Sequence, residues 1–354
     1  MIARARATML APMFTFFNAS TGLWPNLWYD AFALAGAALL LDALIGDPRW
    51  VYRRAPHPVA LIGGAIGVLD RWLNRPAAAA ALRLAAGIVT MLVVVGAVGA
   101  LAWAIGYGLR RIEPEWIGAA IEVVLTSVLL AGRSLHAHVA AVARGLGQSL
   151  GEGRKAVAAI VGRDPETLDE AGVARAAIES AAENFSDGVV APLFWYLLFG
   201  LPGIAAYKAI NTADSMIGHR SEKYRAFGWA AARLDDLVNL VPARLAGLLL
   251  ALGATLIPWA SAKRALGTMV RDAAKHRSPN AGWPEAAMAG ALGLSLGGPR
   301  QYTGDHADDP WIGAGSRKAS AGDIRRALTI NLATGVWLIV ILAIGFGVSF
   351  AISR

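Results

Sequence analysis

Residues 84–109 read LAAGIVTMLVVVGAVGALAWAIGYGL, 26 residues without a charge. A helix needs about 20 apolar residues to cross the hydrocarbon core of a bilayer, so this stretch spans it comfortably. Residues 327–353 form a second uncharged run of 27, and Leu245–Ala262 a third of 18. Ala31–Gly46 is interrupted only by Asp42, and Trp116–Gly132 only by Glu122. Spans are therefore expected at 31–46, 84–109, 116–132, 242–262 and 327–353. The composition agrees: 56% of residues are apolar and 16% charged, against about 25% charged in soluble domains. Thirty-nine glycines suit close helix packing in lipid. The expected fold class is all-α: a polytopic integral membrane helical bundle with a helical extramembrane layer and long polar loops.

Asp42 and Glu122 lie at membrane depth, where a carboxylate is costly and faces the bundle interior. Either could be an interhelical contact or a functional group. The net charge of +8 resides in basic residues beside apolar segments, as in positive loops of membrane proteins, so no nucleic-acid partner is expected. Cysteine is absent, which excludes disulfides, thiolate metal sites and a cysteine nucleophile. Residues 1–30, with Arg4 and Arg6 before a short apolar stretch holding Pro12, read as an N-terminal extension or uncleaved leader. Residues 31–354 read as one membrane domain.

The stretch 188–207 is uncharged but contains Gly200-Leu201-Pro202-Gly203, which should break a helix. It is expected to enter the bilayer and return as a re-entrant hairpin, its irregular backbone sheltered by protein; one kinked span is the alternative. That geometry matters because polar clusters lie on both flanks. On one side, Glu179, Glu183 and Asp187 fall at i, i+4 and i+8, so one helical face holds three carboxylates, with Asn184 nearby. Such like charges repel unless a cation relieves them, and magnesium takes oxygen ligands of this kind. On the other side stand Lys208, Asn211 and Asp214, followed by His219, Arg220 and Lys223. Arg233, Asp235, Asp236, Asn239 and Arg244 come next. Carboxylates alternating with cations suit a magnesium–polyphosphate site, since the metal needs oxygens and phosphates need donors. A salt-bridged surface layer would show the same alternation.

Near the first span, Gly46-Asp47-Pro48-Arg49 precedes Pro56-His57-Pro58-Val59, and neutral histidine can relay protons. The run Lys275-His276-Arg277-Ser278-Pro279-Asn280 is rich in donors and turn formers. It could close over an anion or be a plain surface turn. No P-loop, H-E-x-x-H motif or serine elbow occurs.

Several of these motifs carry a resemblance. Leu41-Asp42 with Gly46-Asp47-Pro48-Arg49, Pro56-His57-Pro58-Val59, Arg133-Ser134-Leu135 and Val161-Gly162-Arg163-Asp164 are among them. Glu179–Gly188, Tyr207–Met216, Asp235–Asn239, Pro242-Ala243-Arg244, Ser278–Gly282 and Glu285–Leu292 continue the series. Over about residues 35–325 the chain resembles the adenosylcobinamide-phosphate synthases, the CobD/CbiB family of cobalamin biosynthesis. The resemblance implies a membrane ligase that joins adenosylcobyric acid to aminopropanol or its O-phosphate, using ATP and Mg2+. It implies a multi-pass protein of the cell inner membrane, its active face cytoplasmic, with neighbouring membrane enzymes of late cobalamin assembly as further partners.

On that reading the metal ligands are expected among Glu179, Glu183, Asp187, Asn211, Asp214, Asp235 and Asp236. Asp47, Arg133, Asn184, Lys208, Arg220, Lys223, Arg244, Ser278 and Asn280 would hold substrate or phosphate. Glu183, Asp187, His57 and His219 would serve catalysis, a histidine taking the proton of the incoming amine. A transporter using Asp42, Glu122 and the break at Gly200 is the rival reading.

Overall fold

The computed structural model describes residues 27–353 apart from 162, 163, 220, 303, 304 and 308. The expected ligand Arg220 and the N-terminal extension up to residue 26 lie outside the described residues. The helices run in order as α1 (Leu27–Leu44), α2 (Pro58–Leu73), α3 (Ala80–Leu109), α4 (Glu115–Val128) and α5 (Gly132–Leu146). There follow α6 (Leu150–Val157), α7 (Glu170–Phe185), a π-helical turn Ser186–Val190 and α8 (Ala191–Ile217). The last are α9 (Trp229–Val238), α10 (Leu240–Gly253), α11 (Ala262–Asp272), α12 (Gly282–Leu292) and α13 (Ala321–Ser353). Two small antiparallel ribbons interrupt them, β1 (Leu296–Gly297) with β4 (Trp311–Ile312) and β2 (Arg300–Tyr302) with β3 (Asp305–Ala307). The fold is an all-α membrane bundle.

Among the described residues, four helical runs are long and apolar enough to cross a membrane: Ala80–Leu109, Glu115–Leu146, Glu170–Ile217 and Ala321–Ile352. Helices α9 and α10, bent by 48°, could together make a fifth. α3 and α13 turn bulky apolar side chains outward, among them Leu92, Trp103, Leu332 and Ile344, as lipid-facing helices do. The expected span 242–262 is shorter than its uncharged run. α10 ends at Gly253 and continues only as a 3-10 turn to Leu256, ahead of Pro258. The polar connection between α10 and α13 is partly helical, holding α11 and α12. The second is an alanine-rich helix whose Ala286, Ala287, Met288, Ala289 and Ala291 are wholly buried.

Small residues set the packing. A Cβ on Gly290 would stand 2.3 Å from the backbone oxygen of Arg264, and one on Gly253 2.2 Å from the Thr334 hydroxyl. α11 therefore lies close on α12, and α10 on α13. α7 is the buried centre, with Ala174, Ala177, Ile178, Ala181 and Ala182 inaccessible.

The two carboxylates at membrane depth are structural. Asp42 accepts the backbone N–H groups of Gly132 (2.9 Å) and Arg133 (3.3 Å) and so closes the start of α5. Glu122 accepts the Tyr196 hydroxyl at 2.8 Å and lies 3.9 Å from Arg110. Both are engaged by neighbouring helices, which removes the unpartnered mid-membrane carboxylates that favour the transporter reading.

The run Glu170–Ile217 is not one rod. Gly200 adopts φ 63°, ψ −151°, and there the chain doubles back. The Tyr207 hydroxyl lies 3.2 Å from the carbonyl of Asp187, and Asn211 Nδ2 3.4 Å from Asp187 Oδ2. A straight helix would hold residues 20 apart at about 30 Å. The arms, Ser186–Phe199 and Leu201–Ile217, are roughly 21 and 26 Å long, each shorter than a hydrocarbon core of about 30 Å. The two polar flanks therefore meet, as the hairpin reading expects. Only glycine tolerates the Gly200 conformation, and a Cβ on Gly203 would stand 2.2 Å from the Trp195 carbonyl. Gly200→Ala should destabilise the protein by about 1–3 kcal/mol and lower its unfolding temperature in detergent. Gly96→Ala, where a Cβ meets nothing within 4 Å, should leave that temperature unchanged or higher. Equal temperatures for Gly200→Ala and the native chain would contradict the reversal.

Candidate active site

The base of the hairpin carries one acidic wall. Glu183 from the end of α7, Asp187 from the π-helical turn, Asp214 near the end of α8, and Asp235 and Asp236 from α9 line a common cavity of about 410 Å³. Local sequence explains the turn. In π-helical pairing the carbonyl of Asp187 would receive the N–H of residue 192, but Pro192 has none. The Tyr207 hydroxyl stands in, shared with Asn239 Oδ1 at 3.0 Å. Asn211 Nδ2 then lies between Asp187 Oδ2 (3.4 Å) and Asp235 Oδ1 (3.3 Å), while Asn239 Nδ2 donates to Asp235 Oδ2 at 3.0 Å. Lys208, 8% exposed, lies behind this wall, and the charges that act on it are those of Asp187, Asp47 and Asp235.

The opposite wall is donor-rich. The turn before α12 presents Lys275, His276, Arg277, Ser278 and Asn280 to the cavity, while Arg233 of α9 lines it from the acidic side, beside Asp236. Ser278 Oγ accepts the N–H groups of Asn280 and Ala281, both at 3.2 Å, and so fixes the entry to α12. Asn280 Nδ2 reaches across to the carbonyl of Asp236 at 2.8 Å. The turn is anchored from beneath by Asp272, which is 1% exposed. That carboxylate binds Arg271 and Lys275, each at 2.7 Å, and accepts the N–H of Gly313 at 2.8 Å. Arg277 pairs with Asp309 at the rim, and Arg233 with Asp236 at 3.1 Å.

Not every expected residue is here. Glu179 is buried and accepts the N–H of Gly297 at 2.7 Å, so it anchors β1 instead of joining the carboxylates that line the cavity. Among the described residues the cavity lining also omits Asp47, His57, Arg133, Asn184, Lys208, Asn211, His219, Lys223 and Arg244. Asn184 donates to the carbonyl and hydroxyl of Ser180. His219 is exposed. Lys223 pairs with Asp70 at 2.9 Å and bonds Tyr224, tying the loop before α9 to α2. Arg133 donates to the carbonyl of Ala43, and Arg244 lies over Trp283 at 4.4 Å. His57 has both ring nitrogens engaged: Nδ1 accepts from Val59 N–H and caps α2, and Nε2 lies 3.4 Å from Asp47. The cations that do face the cavity, Lys275, Arg277 and Arg233, were legible only as a donor-rich turn and a mixed-charge helix.

No solved structure matches the chain. The family model described as CobD/Cbib protein matches residues 35–331. The chain belongs to the CobD/CbiB family. It is 53% identical to a cobalamin biosynthesis protein CobD of Sinorhizobium, over 83% of this chain and 91% of that one. The Brucella suis protein of the same name is 52% identical, over 84% and 93%. That of Rhodobacter capsulatus is 49% identical, over 84% and 92%. Membership places this chain, a membrane protein by its helices, in cobalamin biosynthesis.

Arg271 first, then Lys275 and the Gly313 N–H, hold the Asp272 carboxyl below the usual carboxylate range. A carboxylate so depressed stabilises the fold above its unfolded pKa of about 4, and that stabilisation fades as pH falls towards the folded value. Asp272→Asn should therefore unfold at a lower temperature than the native protein at pH 7. The gap should narrow as the pH is lowered below 4. A gap that is absent at pH 7, or that widens in acid, would contradict this anchor.

Proposed function

We propose that the chain is an adenosylcobinamide-phosphate synthase, which joins adenosylcobyric acid to aminopropanol or its O-phosphate with ATP and magnesium. The observation that carries this reading is the cavity at the hairpin base, where five carboxylates face a donor-rich turn. Amide formation must remove one oxygen from the carboxylate. That oxygen attacks a phosphorus of ATP, whose bond to the departing ADP (attack at the γ-phosphorus) or pyrophosphate (attack at the α-phosphorus) breaks. The amine then attacks the acyl carbon, loses a proton, and expels the phosphorylated oxygen.

Carboxylates, the hydroxyls of Ser186 and Ser278 and the amides of Asn239 and Asn280 line the cavity, the oxygen chemistry that suits magnesium. Among the described residues no three acidic or histidine side chains converge tightly enough to cage an ion by themselves. Magnesium characteristically binds through one or two carboxylates plus phosphate oxygens and water. Glu183, Asp187, Asp214, Asp235 and Asp236 are the residues that would hold it. When bound it supplies neutralisation of the phosphate charge. Lys275, Arg277 and Arg233 stand where phosphate oxygens need donors. With both nitrogens of His57 engaged, the amine proton goes to a cavity carboxylate, Glu183 or Asp187. Lys208 and Asn211 act from behind, keeping the acidic wall in place.

A cavity of about 410 Å³ is smaller than a corrinoid with its adenosyl and amide arms. The macrocycle would lie at the mouth, on the cytoplasmic membrane surface where ATP is available, and only its reacting carboxylate would enter. The hairpin would dip into the bilayer and return, leaving both flanks on that one side.

Purified protein with adenosylcobyric acid, ATP, magnesium and either amine should yield the corrinoid amide by mass spectrometry. Asp187→Ala and Asp214→Ala should each lower product formation about 100-fold or more, whereas Lys223→Met should stay within a few-fold of the native protein. No amide with either amine would defeat the proposal.

A further inference from the structure

Among the described residues, Ser186 and Asn280 line this cavity and each has a buried polar atom without a hydrogen-bond partner. Ser186, in the π-helical turn, is 1% exposed, and its hydroxyl has no hydrogen-bond partner. Asn280 is 7% exposed, and its Oδ1 has none either. Both residues line the cavity. Native interiors rarely leave such atoms unmatched, and those that remain mark a place for a ligand group.

The chemistry of that group follows from the orientation of the Asn280 amide. A backbone carbonyl can only accept, so the amide atom 2.8 Å from the Asp236 carbonyl must be the NH2 nitrogen. The atom left over is an acceptor. A phosphate oxygen ionised at neutral pH offers it no hydrogen, and two acceptors brought together repel. Asn280 was expected to hold substrate or phosphate; its free atom instead demands an N–H or O–H donor. The Ser186 hydroxyl can accept from the same group. Glu183, Asp187, Asp214 and Asp235 line the same cavity as Ser186 and Asn280, and their negative charge favours a cationic donor. The phosphate-seeking residues are different ones, Lys275 and Arg277.

We propose that Asn280 Oδ1 and Ser186 Oγ form the seat of the ammonium group of the amine substrate, with the acidic wall as its counter-charge. Its assignment to the acceptor amine rests on the reading of the cavity as an amide-forming site. Binding there orients the nitrogen before the proton is lost to a neighbouring carboxylate. The seat selects molecules that carry an amine and ignores those that carry only a hydroxyl or a phosphate. Metal-bound water is the other source of donors in such a place, and binding with and without magnesium separates the two.

The experiment is equilibrium binding of 1-amino-2-propanol to the purified full-length protein in detergent, with 2-propanol as the amine-free control. It is run without magnesium and ATP, then with both. The native protein should bind the amine in either condition and should not bind 2-propanol. Asn280→Leu should weaken amine binding about tenfold or more, with ATP–magnesium affinity unchanged. Asn280→Asp, which keeps an acceptor and adds charge, should retain or tighten it, and Ser186→Ala should weaken it to a lesser degree. Loss of ATP–magnesium affinity with amine affinity intact in Asn280→Leu would overturn the proposal in favour of metal-bound water. Should that variant fail to fold, weakened binding in Asn280→Asp or unchanged binding in Ser186→Ala would overturn it equally. These readouts do not require turnover. Amine binding as described alongside no amide product would defeat the synthase reading and leave the seat standing.

Discussion

The Asn211 side chain stands between Asp187 and Asp235, and that contact depends on the chain reversing at Gly200. Without the reversal, Asp187 and Asn211 would lie on opposite sides of a membrane thickness, about 36 Å apart along one helix. With it, the end of α7, the end of α8 and the start of α9 converge. The acidic wall exists because a glycine can adopt a positive φ in the middle of an apolar run and a second glycine lets the arms touch. The apolar arms need no polar partner at their tip; their polar ends are what they bring together.

Carboxylates gathered at a membrane surface repel and are costly to bury, so the surroundings must supply compensation. Lys208 lies behind the wall, Asn211 bridges Asp187 and Asp235, Asn239 donates to Asp235, and Tyr207 ties Asn239 to the Asp187 carbonyl. On the facing side the cations are themselves held by carboxylates, Lys275 by Asp272 and Arg277 by Asp309, and Arg233 pairs with Asp236 within the acidic wall. The result is a preorganised pair of walls of opposite sign, built by helix ends that packing and capping fix in place. Preorganised charge of this kind is what phosphoryl and acyl transfer require of a protein.

Much of the scaffold was legible in the sequence. Uncharged runs of 26 and 27 residues marked α3 and α13, and Gly200-Leu201-Pro202-Gly203 marked the reversal. Glu183, Asp187, Asp214, Asp235, Asp236, Ser278 and Asn280 all reach the cavity. The errors have a common cause. Each four-residue step on a helix turns about 40° past a full circle, and the π-helical turn shifts the phase again. Glu179 therefore faces Gly297, 118 positions away. Lys223 answers to Asp70, 153 positions away, and periodicity carries no information about such partners. The cations that do line the cavity include Lys275 and Arg277, and their placement there depends on α12 docking against α10 and α11.

The central claim is that both flanks of residues 188–207 form one site, and a distance tests it most directly. Since the chain has no native cysteine, spin labels can be placed at Glu183→Cys and Asp214→Cys alone. On an uninterrupted helix those positions would be about 46 Å apart. Because both line the same cavity, their labels should show the strong, short-range coupling of close neighbours. A separation near that of the straight helix would contradict the account.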